Sequence, residues 1–369
     1  MTSKLFQPIQ LGNHKLQHRV VLAPLTRLRA SPTAVPSPLM AEYYKQRSTP
    51  GGLLITEATL ISPTAGGYVG APGIYTDEQS EAWKPVTEAV HAKGGIIFMQ
   101  LWHVGRASSS KLMPNNQKPL SASAIAIKGK NLAGDDYEEP RALTKDEIKD
   151  VVQDFAAAAR RAVDSGFDGV EIHGANGYLV DQFLNTSSNK RTDEYGGPIE
   201  NRARFGLEVV EAIVDAVGAE RTAIRLSPYS GFQDMEDEMP EETWTYFTKQ
   251  LQDKHPNLAY VHFVEPRDDL MPRSGEDAEK RATLSLDPFR AAWNGPFISA
   301  GGYTTDSKLA EEVADKTGNL IAFGRTYIAN PDLVARLKNK YPLNAYFRET
   351  FYAGAEKGYT DYETYKVAA

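Results

Sequence analysis

Apolar positions along the chain switch repeatedly between two spacings. One is strict alternation, which sets side chains on opposite faces of a strand; the other recurs every three or four residues, which builds one face of a helix. In the run 167–173, Val170 and Ile172 alternate with Glu171 and His173, predicting a strand with one polar face and His173 at its C-terminal tip. Seven more strands are predicted at 19–23, 53–59, 95–102, 222–227, 258–265, 296–300 and 320–324. A helix over 77–93 carries an apolar stripe of Trp83, Val86, Ala89 and Val90 and stops at Gly94. Thr144 and Glu147 form a capping box that opens an alanine-rich helix ending near Ser165 and Gly166. Further helices are predicted at 201–217, 241–254, 305–316 and 331–339, the last with Asn330 as cap and Pro331 in its first position.

Strands alternating with helices predict an α/β fold with a parallel sheet, and eight strands in a chain of 369 residues point to a single (β/α)8 TIM barrel. The segment 5–16 reads as an N-terminal hairpin plugging the barrel bottom. The stretch 105–141, rich in Pro, Ser, Asn and Gly, is a long insertion after strand 3, too long for an ordinary loop and expected as a lid over the mouth. No linker or repeat breaks 1–369 into two domains, and no Gly-x-Gly-x-x-Gly opens a Rossmann helix.

Composition narrows the chemistry. An apolar content of 41% suits a full globular core, and a net charge of -7 leaves no basic footprint for nucleic acid. No apolar run is long enough to span a bilayer and the first residues lack a signal peptide's apolar core, so a cytoplasmic protein is expected, monomer or homodimer. The absence of cysteine excludes disulfides, thiolate-held zinc and cysteine-ligated iron–sulfur clusters, leaving a bound organic cofactor as the simplest source of redox chemistry.

Barrel enzymes place their chemistry at the C-terminal strand ends. Those ends carry Pro24, Leu25 and Thr26, Ala58, Gln100 with Trp102, His173 with Asn176 and Tyr178, and Arg225; the last two strands end in Gly301, Gly302, Gly324 and Arg325. A glycine-lined phosphate pocket with one arginine, below amide, guanidinium and hydroxyl partners for a planar ring, fits flavin mononucleotide (FMN). Gln100 could serve the pyrimidine edge, Arg225 the negative charge near N1 and O2, and Thr26 a ring carbonyl.

With these residues in place the sequence resembles the Old Yellow Enzyme family of flavin-dependent ene-reductases along nearly its whole length. The stretches that carry the resemblance are 23–27, 56–59, 66–73, 100–102, 173–183, 191–202, 225–228 and 323–325. The resemblance implies FMN held by Pro24, Leu25, Thr26, Ala58, Gln100, Arg225, Gly301, Gly302, Gly324 and Arg325. It implies NADPH as hydride donor, His173 and Asn176 on the carbonyl oxygen of an α,β-unsaturated substrate, Tyr178 as proton donor, and Tyr68, Trp102 and Phe232 around the substrate. Ala58 and Gly302 depart from the glycine and asparagine of many members, and Leu270 and Met271 stand where some place an aromatic. Threonine at position 26 is similar to the branch that sets a hydroxyl, not a thiol, on the flavin O4.

Other readings compete. The same barrel could serve a secondary-metabolism reductase or isomerase, a nitro or nitrate-ester reductase, or a flavin-binding protein without catalysis. Tyr68 and Trp102 also read as packing aromatics, and 234–238 as a solvated acidic loop. Glu57 and Glu171 need partners such as an arginine if they point inward. His91 and His262 read as structural or surface residues, and His14 and His18, four apart without a nearby acidic ligand, predict no metal site.

Overall fold

The computed structural model describes residues 2–131, 134–267, 283–304 and 307–366. Eight parallel strands close into a barrel: β3 (Val20–Leu22), β4 (Leu53–Ile55), β6 (Ile96–Trp102), β9 (Gly169–Gly174), β10 (Thr222–Leu226), β11 (Tyr260–Val264), β12 (Phe297–Ala300) and β13 (Leu320–Phe323). Each pairs with its neighbours in turn, and β4 returns to β6 to complete the ring. All eight predicted strands are present, mostly shortened at their ends. The second is the exception, because the chain leaves the barrel after Ile55 and resumes as β5 (Thr59–Leu60) against β6. The antiparallel hairpin β1 (Ile9–Leu11) and β2 (His14–Leu16) buries Leu11 and Leu16 fully in the same cluster as the lumen residues Val21, Phe98 and Leu320.

Period-two alternation sorts the strands' side chains into two cores. Outward residues such as Leu54, Met99, Ile172, Ile224 and Phe323 pack under the helices. Inward residues fill the lumen in tiers, apolar at the bottom with Ile55, Phe98 and Tyr260. Higher up the lumen is polar. Gln100 Nε2 donates to Glu171 Oε1 at 2.7 Å, and His262 Nδ1 lies 2.9 Å from Glu171 Oε2. Glu171 thus points inward, and the partners it needs there are an amide and an imidazole, not an arginine.

The helix α2 (Asp77–His91) begins at a capping box on Thr76 and Gln79 and buries Trp83, Val86 and Val90. The helix α3 (Lys145–Asp164) begins at the predicted Thr144 and Glu147 box, and Arg141 adds a two-pronged contact to Glu147 at 2.7 and 2.8 Å. The helices α4 (Leu179–Leu184), α5 (Ile199–Val217) and α6 (Pro240–Lys254) follow, with Ser307–Thr317 later in the chain. The predicted residue Thr305 lies outside the described residues, as do Leu270 and Met271. Pattern reading missed α1 (Pro38–Arg47), α4 and Arg325–Ala329; the two short ones are buried on nearly every face and show no stripe. The final helix begins at Leu333, not Pro331, because the Asn330 carboxamide is spent on Thr326 O and the backbone N–H of Asn344.

The segment after β6 is anchored to α4 through Gln182, its middle strand β7 (Leu120–Ser121) pairs with β8 (Arg141–Ala142) at its end, and its Tyr137 hydrogen-bonds Tyr68 beside Tyr178. Two further expectations are corrected. The run 234–238 is not simply solvated, since the Asp237 carboxylate is fully buried beside Arg202 and accepts the N–H groups of Thr186 and Met239. His14 does have an acid near it in space, Asp168, which also contacts His91 at 2.9 Å. Even so, no group of three potential ligands among the described residues could hold a metal ion. No helix among them is long and apolar enough to cross a membrane.

After the last helix the chain returns to the strand-tip face and is gripped by arginines from its beginning. Arg27 donates to Phe351 O and Gly358 O at 2.8 and 2.7 Å, Arg29 to Phe351 O and Thr350 O at 3.0 Å each, and Arg47 to Tyr359 O at 3.2 Å. Tyr43 and Tyr359 stack at 4.2 Å with Arg27 and Arg47 over their faces. Glu57 lies below. One oxygen accepts the N–H groups of Arg27 and Leu28 at 3.0 and 3.1 Å, while the other has no hydrogen-bond partner.

Burial pushes the Glu57 carboxyl up to about 7, against the pull of those two N–H groups and the two arginines. A carboxyl whose pKa is raised on folding favours the folded state while protonated, so this contribution is lost as pH rises from about 4.5 through 7, at most about 3 kcal/mol. Glu57→Gln should therefore raise the melting midpoint relative to the parent at pH 8 and converge with it near pH 4.5. Thermal melts across that range check this, and an equal gap at both ends would refute it.

Candidate active site

The strand tips and the loops beyond them enclose an open cleft of about 310 Å³. Its lining includes Pro24, Leu25 and Thr26 after β3, Asn176 and Tyr178 after β9, Arg225 on β10, Phe232, and Gly301, Gly302, Gly324 and Arg325 after β12 and β13. The sequence placed every one of these at the site. Reading strand tips missed Tyr303 and Thr304 after β12, and Tyr346, Arg348, Phe351 and Tyr352 from the returning segment. The one available signal for the latter was their density of aromatic and cationic residues in a stretch with no helical or strand period.

Five expected residues stand behind the lining. His173 is 4% exposed and packs edge-on to Tyr178, with ring centroids 4.8 Å apart. Trp102 meets the same tyrosine edge-on at 5.0 Å, and Tyr68 leans on Trp102 at 5.8 Å. These four rings form one cluster at the inner end of the cleft. Ala58 and Gln100 are buried below, and the Gln100 amide expected at a pyrimidine edge is engaged by Glu171.

The register of the barrel sets the electrostatics. Arg225 is paired across the sheet with His173 on one side and His262 on the other, so all three point into the lumen at one height. Burial pulls the His173 imidazole well below its ordinary range, and the charge on Arg225 and the neighbouring His262 lower it further. The ring is therefore neutral at physiological pH and carries a single N–H. Burial raises the Tyr178 phenol well above its usual value, so it remains protonated.

A flavin mononucleotide fits this arrangement. His173 Nδ1, Trp102 Nε1 and Asn176 Oδ1 are buried without a hydrogen-bond partner in the protein, which is costly unless a ligand or solvent satisfies them. At the other end Gly301 and Gly302 present bare backbone at φ of 110° and 76°. A Cβ on Gly302 would come within 2.7 Å of the Arg267 side chain, so the cradle tolerates no larger residue without rearrangement.

Residues 4–344 match the family described as NADH:flavin oxidoreductase / NADH oxidase. The chain belongs to that family. This flavin oxidoreductase is 50% identical over 363 residues to 12-oxophytodienoate reductase 1 of Oryza sativa subsp. japonica, an alignment covering 97% of this chain and 92% of the relative. It is 48% identical over 377 residues to the flavin oxidoreductase hxnT of Emericella nidulans, covering 97% of each. A solved structure of morphinone reductase in complex with tetrahydroNAD superposes with a TM-score of 0.88 at 45% identity, covering 98% of both chains. The family resemblance drawn from the sequence motifs and the barrel architecture both stand.

The neutral His173 of this flavin oxidoreductase is directly measurable. Nitrogen-15 chemical shifts of the imidazole should report an unprotonated ring throughout pH 5.5–8, and a midpoint above about 6 would contradict the burial argument.

Proposed function

We propose that this flavin oxidoreductase reduces the carbon–carbon double bond of α,β-unsaturated aldehydes and ketones, with NADPH as electron source and FMN as its resident cofactor. The observation that carries this reading is the unpartnered Nδ1 of a neutral His173 packed against a protonated phenol, Tyr178, with Asn176 in the same lining. Pro24, Thr26 and Arg225 would hold the ring system of FMN, and Gly302, Gly324 and Arg325 its phosphate. The chemistry a bound FMN supplies there is two-electron hydride exchange between a reduced nicotinamide and the β-carbon of an activated alkene.

The protein's own groups do the rest. The His173 N–H and the Asn176 amide bind the carbonyl oxygen, withdrawing electron density from the alkene and then stabilising the enolate as negative charge collects on that oxygen. Each such donor is worth up to roughly 3 kcal/mol in the transition state. The Tyr178 hydroxyl then delivers its proton to the α-carbon. Trp102 and Tyr68 wall off the inner end of the cleft from water, and Phe232 and Tyr352 bound the space left for the substrate. NADPH is preferred in this reading because Arg348 lines the cleft apart from the arginine given to the FMN phosphate and suits an additional phosphate; parallel rates with NADPH and NADH test it.

Heat release followed by mass analysis should recover FMN, and recovery of FAD would overturn the cofactor assignment. The decisive experiment is Tyr178→Phe followed in two half-reactions. Anaerobic flavin bleaching by NADPH should run near the parent rate, because no proton from this residue is needed. Reoxidation by cyclohexenone should fall roughly 10²- to 10⁴-fold, the usual cost of losing a positioned acid. Parent-like rates in both steps would reduce Tyr178 to a packing ring and remove the proton-donor role.

A further inference from the structure

Asn176 occupies an unusual backbone. It has a left-handed φ of 58°, which asparagine tolerates better than most non-glycine residues, and Gly177 follows at 76°. The turn that lifts Asn176 and Tyr178 to the cleft is also held by the side chains around it. Three side chains hold its backbone. Ser227 Oγ, just beyond β10, accepts the Asn176 N–H at 2.7 Å. Asp181 Oδ2, in the first turn of α4, accepts the Gly177 N–H at 2.8 Å and the Ser227 hydroxyl at 3.4 Å. Gln182 Nε2 donates to the Gly177 carbonyl at 2.7 Å. The far side is closed as well, since a Cβ on Gly177 would lie 2.9 Å from Gln233 Cβ and Met235 Cγ.

We propose that Ser227 and Asp181 are positioning residues for the carbonyl-binding site, acting through Asn176: the serine hydroxyl, oriented by the buried carboxylate, holds the left-handed turn that aims the Asn176 amide into the cleft. Neither residue lines the cleft, and both are buried, at 3% and 1% exposure. His173 is placed by the sheet ladder of β9 and does not depend on this lock. Loss of the lock thus affects one of the two groups on the carbonyl oxygen and spares the other. This inference rests on the proposed role of Asn176, and its test separates the two.

The test is a double-mutant cycle on the flavin-loaded protein, read by calorimetric affinity for 4-chlorophenol, whose phenolate mimics the enolate oxygen. Flavin content and melting midpoint are recorded alongside. Asn176→Ala should weaken phenol binding; if it does not, the carbonyl-site reading itself fails. Given that loss, Ser227→Ala should weaken binding on the order of tenfold, a difference of about 1.4 kcal/mol, with flavin content unchanged. Ser227→Thr, which keeps the hydroxyl, should restore affinity to within about twofold. In the Asn176→Ala background Ser227→Ala should have no further effect, because the residue through which it acts is gone. Asp181→Asn, which can still accept from Gly177 through its one oxygen, should follow the same pattern with a smaller loss. Unchanged phenol affinity in Ser227→Ala, or an equal loss with and without Asn176, would overturn the proposal.

Discussion

A closed ring of parallel strands can keep ionisable groups in its lumen only where each one meets a partner within hydrogen-bonding reach. Glu171 has no exposure at all, and an unpaired carboxylate there would be prohibitively costly. Its two oxygens are met by Gln100 from β6 and His262 from β11, so one carboxylate couples three strands. A slip of a single residue along β9 would turn Glu171 outward into the helix layer and leave both partners stranded. The register that avoids this also sets His173 at the rim and Arg225 level with it. The position of the reactive end of the cleft is thus inherited from a contact one tier below.

The sequence exposed most of this frame because lumen and exterior alternate at period two and strand tips could be read directly. Pro24, Thr26, Asn176, Tyr178, Arg225 and the terminal glycines all reach the cleft for that reason. The capping box at Thr144 and the hairpin plug were legible on equally local grounds. Alternation says which face a residue takes but not what stands beside it there. Gln100 was expected at a strand tip facing a cofactor, and its hydrogen bond to Glu171 could not be read from either strand alone.

What stayed hidden depends on contacts between distant parts of the chain. Arg27 to Gly358 spans 331 residues, and no periodicity in either segment announces it. The burial of Asp237 has the same origin, because its charge is matched by Arg202 on α5 and by N–H groups of a loop that sequence adjacency does not reveal. The course of the excursion 105–141 was hidden for a related reason. Length and composition identified an excursion, but its direction was settled by the Gln182 side chain, which binds Arg106 N–H and Ser121 and draws it beside α4.

The wall formed by Tyr346, Phe351 and Tyr352 has a consequence for how the protein is made. During synthesis all eight strands leave the ribosome before these residues do, so one side of the cleft is still missing when the last strand emerges. Until then the guanidinium groups of Arg27 and Arg29 have none of the carbonyls at 350–358 to bind. Completion of the pocket is thereby a late and nearly simultaneous event, in which the arrival of one short segment satisfies the arginines and closes the aromatic wall together.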